Sequence, residues 1–270
     1  MSEQTNTFRD STLNLDQAYY YTLLLLVDTG SFAYGITFKD KLLAYEANCS
    51  ISELTEPKQL QELFSVSYKK IIFGFKGNGF TLIPRHLFNT DRIGDFARLL
   101  DVKENEKVLA QVLDAKNHVV YKADAQPLSG IGKFSFKTIA FAAKGIITAI
   151  ARNNPSNTNL YLNIGSNKVE FVYFNNGSLR FYNSFDFKNA EDVVYYSALV
   201  TNELEMQPAN TILTVSGDIN LTDELYNHLT RFFKAVEINK IQLLELPAQI
   251  APHHIFSFAA LSLCGSSEAL

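Results

Sequence analysis

The sequence predicts an α/β protein of two lobes, each running β-β-β-α-β-α-β-α, and three observations predict it. One stretch occurs twice. Leu24-Leu25-Leu26-Val27-Asp28-Thr29-Gly30-Ser31 is an apolar run closed by a polar corner and followed by the alternating run Phe32 to Phe38. Leu160-Tyr161-Leu162-Asn163-Ile164-Gly165-Ser166 does the same ahead of Val169 to Phe174, and Gly30 and Gly165 stand half the chain apart. Next, tight turns join three strands at the head of each half, which forces antiparallel pairing. Finally, Asn153-Asn154-Pro155-Ser156-Asn157 separates the halves with turn formers alone.

Residues 1–18 read as a mobile polar arm, 19–152 as the first lobe and 158–270 as the second. In the first lobe Leu23–Val27, Phe32–Phe38 and Leu42–Ala47 are strands. A helix follows over Ser52 to Val66, with Leu60, Leu63 and Phe64 on one face and Pro57 tolerable only in its first turn. Ile71–Phe75 is a buried strand, and Phe80–Ile83 another that Pro84 stops. Asp91 to Leu100 carries a helical stripe of Ile93, Phe96, Leu99 and Leu100. Val108–Leu113 and Val119–Lys122 form an inserted hairpin near 107–123. Phe134–Ile139 then reads as a strand and Phe141–Arg152 as a helix.

The second lobe is cleaner. Strands Asn159–Ile164, Val169–Phe174 and Leu179–Phe185 are joined by Gly165-Ser166-Asn167 and by the hairpin turn Asn175-Asn176-Gly177. Asn189 caps a helix to about Met206, with Asp192 at its third position and a stripe of Val193, Tyr196, Val200 and Leu204. Ile212–Val215 is a strand, Thr222 caps a helix to Val236, Ile241–Leu246 is a strand and Ile255–Leu263 a final apolar helix.

Composition excludes several classes. Hydrophobic content of 47% against 19% charged is that of a folded globular chain, and a formal charge of −4 without a basic stripe argues against nucleic acid. Tyr19 to Val27 is far shorter than the roughly 20 residues of a membrane span. Two cysteines, Cys49 and Cys264, supply neither a disulfide framework nor metal spacing. Reduced thiols in a cytoplasmic protein are expected.

Three hairpin-linked strands followed by right-handed crossovers give a mixed sheet with helices on both faces. This order, duplicated, resembles the ribonuclease-H-like lobe pair of actin and the sugar kinases. A second resemblance rests on Asn183-x-Phe185, Asp192-x-x-Tyr195-Tyr196, Leu213-x-Val215-x-Gly217-Asp218-Ile219 and Phe80-Thr81-Leu82-Ile83-Pro84-x-x-Leu87-Phe88. Over roughly Leu23 to Cys264 these resemble a Bacteroidetes family of unknown function whose members are similar in fold to actin-like ATPases. More distantly, the chain resembles pilus-assembly and secretion proteins of that class, which act as cytoplasmic scaffolds. The resemblance implies an actin-like ATPase architecture and a protein partner or self-association. It assigns no activity.

The actin-like resemblance implies ATP between the lobes, held by two strand–turn–strand corners and a glycine corner near the adenosine. A tight turn presents backbone N–H groups to phosphate, Gly permits close approach, and an Asp holds the hydrated metal. Asp28, Thr29, Gly30 and Ser31 match the first corner. Asn163, Gly165 and Ser166 match the second with an amide in place of the acid, and Ser216, Gly217 and Asp218 supply one Gly where the class usually shows a pair. After Ile71–Phe75, where the class places its water-activating group, the chain reads Lys76-Gly77-Asn78. Hydrolysis needs metal neutralisation and an oriented water, so the chain is expected to be a non-hydrolysing binding or scaffold module. It then has no catalytic residue, no metal site and no required cofactor, with ATP and Mg as the cofactor the corners would take. A Mg-ATP-dependent ATPase or phosphotransferase is the alternative. Ordinary hairpin corners explain Asp-x-Gly and Asn-x-Gly better than a nucleotide site does.

Val27-Asp28-Thr29-Gly30-Ser31 is also the kind of corner that aspartic proteases use, but position 163 offers no second carboxylate, which leaves only a homodimer sharing Asp28. Gly130-Ile131-Gly132-Lys133 lacks the first Gly and the hydroxyl of a phosphate loop. His253-His254 diverge from one another and read as a helix-entry loop, and Cys264 as packing. Asn183, Phe185, Asp192, Tyr195 and Tyr196 carry the family resemblance, with Tyr195 off the apolar stripe and suited to an interface.

Overall fold

The structure, a computed structural model, describes residues 6–77 and 79–265. The chain packs as two units: Met1–Thr148 with Leu244–Pro247 and Phe258–Leu270, and Ala149–Leu243 with Ala248–Ser257.

In the first unit, β1 (Thr7–Arg9) and a 3-10 turn over Leu15–Tyr20 precede the hairpin-linked strands β2 (Thr22–Val27), β3 (Ser31–Phe38) and β4 (Lys41–Ser50). β1 pairs antiparallel with β4, Phe8 opposite Tyr45, and Asp10 pairs with Lys41 at 2.7 Å. The arm expected to be mobile is therefore held to the sheet from Thr7 onward. The helix expected over Ser52 to Val66 is instead a 3-10 turn at Ile51–Leu54, a loop, and the short α1 (Gln61–Ser65). Pro57 has no N–H to continue a helix. Glu53 turns its carboxylate inward and accepts the N–H groups of Lys58, Gln59 and Leu60 at 2.9, 3.0 and 3.0 Å, which fixes the loop as a bend.

β5 (Lys70–Phe75) then lies parallel to β2, Leu25 opposite Phe73. The insertion is larger than the expected hairpin. β6 (Gly79–Pro84), α2 (Ile93–Ala97), β7 (Glu106–Val112) and β8 (Asn117–Asp124) make a separate antiparallel sheet of order β6-β8-β7. Alternation places Ile83 and Val120 on one face, and there Leu100, Ile93 and Phe96 from the α2 region cover them. The helix at 91–100 thus belongs to this small sheet. Beneath it lies a buried ion pair, Lys122 Nζ to Glu106 Oε2 at 3.0 Å, with Nζ also donating to Asp101 O at 2.9 Å.

α3 (Ala125–Gly130) leads to β9 (Lys137–Phe141), parallel to β5. β9 starts later than Phe134 because Ile131–Lys133 is a 3-10 turn and Phe136 has a left-handed φ of 52°. α4 (Ala143–Ala151) follows. The first sheet has the order β1-β4-β3-β2-β5-β9.

The second unit repeats the plan. β10 (Asn159–Ile164), β11 (Lys168–Asn175) and β12 (Ser178–Asp186) form the meander, with Gly177 at φ 70° in its second turn. α5 (Ala190–Glu203) is capped as expected: Asn189 Oδ1 accepts Asp192 N–H at 2.9 Å, and Asp192 Oδ2 accepts Lys188 N–H at 2.8 Å. Such a cap contributes about 1 kcal/mol. β13 (Ile212–Gly217) runs parallel to β10, and α6 (Glu224–Phe232) follows. α6 ends four residues before the expected Val236. Phe233 is extended, Lys234 N–H turns to the carbonyls of Pro208 and Thr211, and the chain enters β14 (Ala235–Ile238), parallel to β13. The last strand of the sheet is therefore β14, and the expected strand at Ile241–Leu246 makes a single bridge, Glu245 to Lys41. The order is β12-β11-β10-β13-β14. Leu160, Leu162, Phe171, Leu213 and Val215 point to one face, where Val193, Val200, Leu229 and Phe233 seal them.

The expected C-terminal helix is α7 (Phe256–Ala259) continued as a 3-10 turn to Gly265. From Phe258 it packs on β2, β5 and β9 of the first unit rather than with residues 158–257. Gly74 and Gly145 make room: a Cβ would lie 2.1 Å from a Leu261 methyl and 2.3 Å from Ala260 O respectively. No helix among the described residues is long and apolar enough to cross a membrane.

Two measurements test these supports. The Glu53 carboxyl is held below its ordinary value, chiefly by the Leu60 N–H. A carboxyl so lowered stabilises the fold above its unfolded pKa of about 4.3, and that contribution is lost as pH falls through the folded value. Melting temperature should therefore fall less steeply with acidification in Glu53→Gln than in the wild type, which thermal melts across the acid range will read. Lys122→Met removes the buried counter-charge of Glu106, which keeps the Lys103 N–H, and should cost about 3–5 kcal/mol in urea unfolding, part of which Glu106→Leu added to it should restore.

Candidate functional site

The two corners of the repeat have a common topological position. β2 and β10 are each flanked by an antiparallel neighbour on one side and a parallel one on the other. Their C-terminal ends are switch points, where open α/β sheets place ligand sites.

In the first unit, Thr29-Gly30 is the two-residue tip between β2 and β3. Asp28 N–H donates to Ser31 O at 2.9 Å, and Gly30 has φ 78° with open space where a Cβ would stand. Asp28 Oδ1 accepts Thr29 N–H at 2.7 Å. Its Oδ2 meets Lys76 Nζ at 2.7 Å. Lys76 follows β5 and is set by its own N–H donating to Val27 O at 3.0 Å. Sequence reading placed Lys76 where a water-activating group would stand but did not pair it with Asp28.

In the second unit the two remaining corners adjoin, because β10 and β13 pair Asn163 with Ser216 and Ile164 with Gly217. Asn163 is buried, 8% exposed. Its Nδ2 donates to Glu170 Oε2 at 2.7 Å, and Glu170 Oε1 accepts from Tyr182 Oη at 2.7 Å. Burial, then the Glu170 carboxylate, push the Tyr182 phenol well above its usual value, so it remains a donor. Asn163 Oδ1 has no hydrogen-bond partner among the described residues. Gly165 N–H is committed to Lys168 O at 2.8 Å, with Ser166 beside it at the tip.

At the third corner Gly217 has φ 89°, and a Cβ there would lie 2.0 Å from Ile164 O. Its N–H donates to His253 O at 2.8 Å, and its carbonyl takes Ile219 N–H at 2.9 Å and His254 Nδ1 at 2.9 Å. Asp218 N–H goes to Ile164 O at 2.7 Å, and Ser216 Oγ accepts Asn239 Nδ2 at 2.9 Å. The bond to a carbonyl puts the His254 proton on Nδ1. His253 Nε2 lies 3.2 Å from Ile219 O, and burial lowers its pKa. The histidine pair, read from sequence as a helix-entry loop, therefore clamps the glycine corner.

The signature residues form a third group in the second unit. Asp192 serves the α5 cap, and Asn183 Oδ1 accepts Ser184 N–H at 2.9 Å. Phe185 stacks on Tyr196 with centroids 4.7 Å apart, and Tyr195, 62% exposed, meets Tyr196 edge-on at 5.5 Å. The aromatic series runs from the buried Phe171 to the surface.

Lobe order and corner positions define the class as the actin-like ATPase fold. The chain is similar to a Bacteroides thetaiotaomicron protein with actin-like ATPase fold and unknown function, at 19% identity and a TM-score of 0.78 over 93% of this chain and 99% of that one. It is also similar to a chain of the PilM–PilN type IV pilus biogenesis complex, at 11% identity and a TM-score of 0.57 over 92% and 99%. Residues 10–236 match the family model described as "Protein of unknown function (DUF3822)", and the chain belongs to that family. No curated protein matches it. The resemblance drawn from sequence to a family of actin-like fold and unknown function agrees with both findings, and the mixed α/β lobes are unlike the mostly β architecture an aspartic protease requires.

The two glycines separate on stability. Gly30→Ala places Ala at a positive φ in open space and should cost about 1–2 kcal/mol. Gly217→Ala meets the Ile164 carbonyl as well and should cost more than that, or prevent folding of the second unit. Urea denaturation of both variants reads the difference.

Proposed function

We propose that the chain is a non-hydrolysing binding or scaffold module on the actin-like fold, working through a protein partner or a second copy of itself. The observation that carries this reading is the Asp28–Lys76 pair at 2.7 Å. Phosphoryl transfer needs a carboxylate free to hold the hydrated metal and a group that orients water. At this corner a lysine ammonium from the same unit already neutralises the carboxylate, and it stands where the orienting group would be.

The second unit supports the same reading. Asn163 spends its amide on Glu170 and brings no carboxylate of its own. The N–H groups of Gly165, Gly217 and Asp218, which a phosphate or adenosine cradle would use, bond to the protein itself. Gly217 is needed for packing against Ile164 whether or not a ligand binds. A chain of similar fold stands in the PilM–PilN pilus biogenesis complex. The reading gives the present chain that kind of work without assigning the same partner.

Thermal shift with Mg·ATP and Mg·ADP, together with an assay for released phosphate, tests the reading. No shift and no release are expected. A nucleotide-dependent rise in melting temperature that Asp28→Asn abolishes would replace this reading with a Mg-ATP enzyme.

A further inference from the structure

We propose that Glu191, Glu224 and His228 form a surface site for a divalent transition-metal ion, Zn²⁺ being the ion the donor set fits, which ties α5 to α6. The site shares no residue with the three corners and does not depend on the proposed function.

Glu224 and His228 are four residues apart on α6 and so share a face. Glu191 is the second residue of α5. One donor atom from each residue can be chosen so that all lie within 4.8 Å of one another. His228 Nδ1 stands 3.9 Å from Glu191 Oε1, and Nε2 3.8 Å from Glu224 Oε1. Both separations are too long for hydrogen bonds. An ion takes only one of the two ring nitrogens, and ligand atoms around a tetrahedral ion with bonds of about 2.0–2.1 Å stand about 3.3 Å apart, so the exposed carboxylates would swing inward by up to about 1.5 Å to close the set on that nitrogen.

Charge argues the same way. The acidic residues each suit the first turn of a helix, where the dipole favours them. That accounts for either one alone and not for their convergence on one imidazole. Neither carboxylate pairs with a lysine or arginine among the described residues. Two negative charges therefore converge on one ring, and a divalent ion balances them.

The supporting backbone is fixed in advance. The Asn189 cap holds the turn that carries Glu191. The buried Leu229 and the Tyr226 Oη bond to Val236 O at 2.9 Å hold α6 against the sheet. His228 is 22% exposed and the carboxylates 68% and 77%, which leaves room for water as a fourth ligand. One imidazole with two carboxylates suits Zn²⁺ and its first-row neighbours rather than Ca²⁺ or Mg²⁺, which take oxygen ligands.

Isothermal titration of the chelator-treated full chain with Zn²⁺, and visible absorption with Co²⁺, test the site. One ion per chain is expected, with a rise in melting temperature. His228→Ala should weaken binding about tenfold or more, as losses around metal sites do, and Glu191→Gln with Glu224→Gln should do likewise. Metal-free circular dichroism melts will check that the variants fold. Absence of Zn²⁺ binding overturns the proposal, and so does binding undiminished in His228→Ala.

Discussion

Each unit depends on one strand that is paired antiparallel on one side and parallel on the other. In β2, Leu23 to Val27 are almost wholly buried, and in β10 Leu160, Leu162 and Ile164 are. A strand in that position has no edge to expose, and in β10 a one-residue slip would also turn the alternating set Leu160, Leu162 and Ile164 to the wrong face. The hairpin partner reaches it through a short turn, while the parallel partner arrives by a long crossover. The turn at its C-terminal end is therefore placed by topology before any chemistry is asked of it. Asp28 and Gly165 occupy equivalent points for that reason, which corrects the pairing of Gly30 with Gly165 and of Asp28 with Asn163 expected from the sequence: Asn163 lies inside its strand, at the point Leu26 holds in β2.

What the corners do with their polar groups is a separate matter, and in both units they are satisfied from within, Asn163 Oδ1 excepted. The first corner closes on itself through Asp28 and Ser31 and takes its counter-charge from the residue after the parallel neighbour. That pair is half-exposed, so its contribution to stability is at most about 1 kcal/mol; its weight lies in occupying the carboxylate. The second corner is built differently. Asn163, Glu170 and Tyr182 form a chain of short bonds on the face of the sheet opposite the apolar cluster. The orientation of the Asn163 amide follows from this chain, because only Nδ2 can donate to the carboxylate, which leaves Oδ1 as an acceptor. An acceptor beside a carboxylate suits a donor or a cation and repels phosphate.

Elements whose signals were local were legible in the sequence. The repeated apolar runs, the Asn175-Asn176-Gly177 hairpin and the Asn189 cap all act within a few residues. The errors share a cause. Phe232, Phe233 and Val236 satisfy helical spacing, yet Lys234 N–H is claimed by Pro208 and Thr211 and the chain becomes a strand. Leu60, Leu63 and Phe64 likewise fit a long helix that Glu53 breaks by collecting three N–H groups. At the candidate site the corners themselves were readable, but their partners were not. Lys76 is 48 residues from Asp28, and the histidine clamp is 37 residues from Gly217. Glu170 was within reach: antiparallel register across a short turn puts it opposite Asn163.

The C-terminal segment adds a constraint that neither half carries alone. Phe258 to Gly265 returns to the first sheet after the whole second unit has been made, and it fills space that Gly74 and Gly145 leave open. Phe258 also meets Tyr45 edge-on at 4.9 Å, and Leu261 is fully buried. The apolar face formed by β2, β5 and β9 is therefore covered in part by residues far away in sequence. Contacts of such separation form late, because the loop-closure entropy comes before any gain from packing. The second unit has its meander, crossovers and both covering helices in one continuous stretch, and it can condense on local contacts. The first unit holds its sheet together with its own strands but owes its last layer of core to the end of the chain.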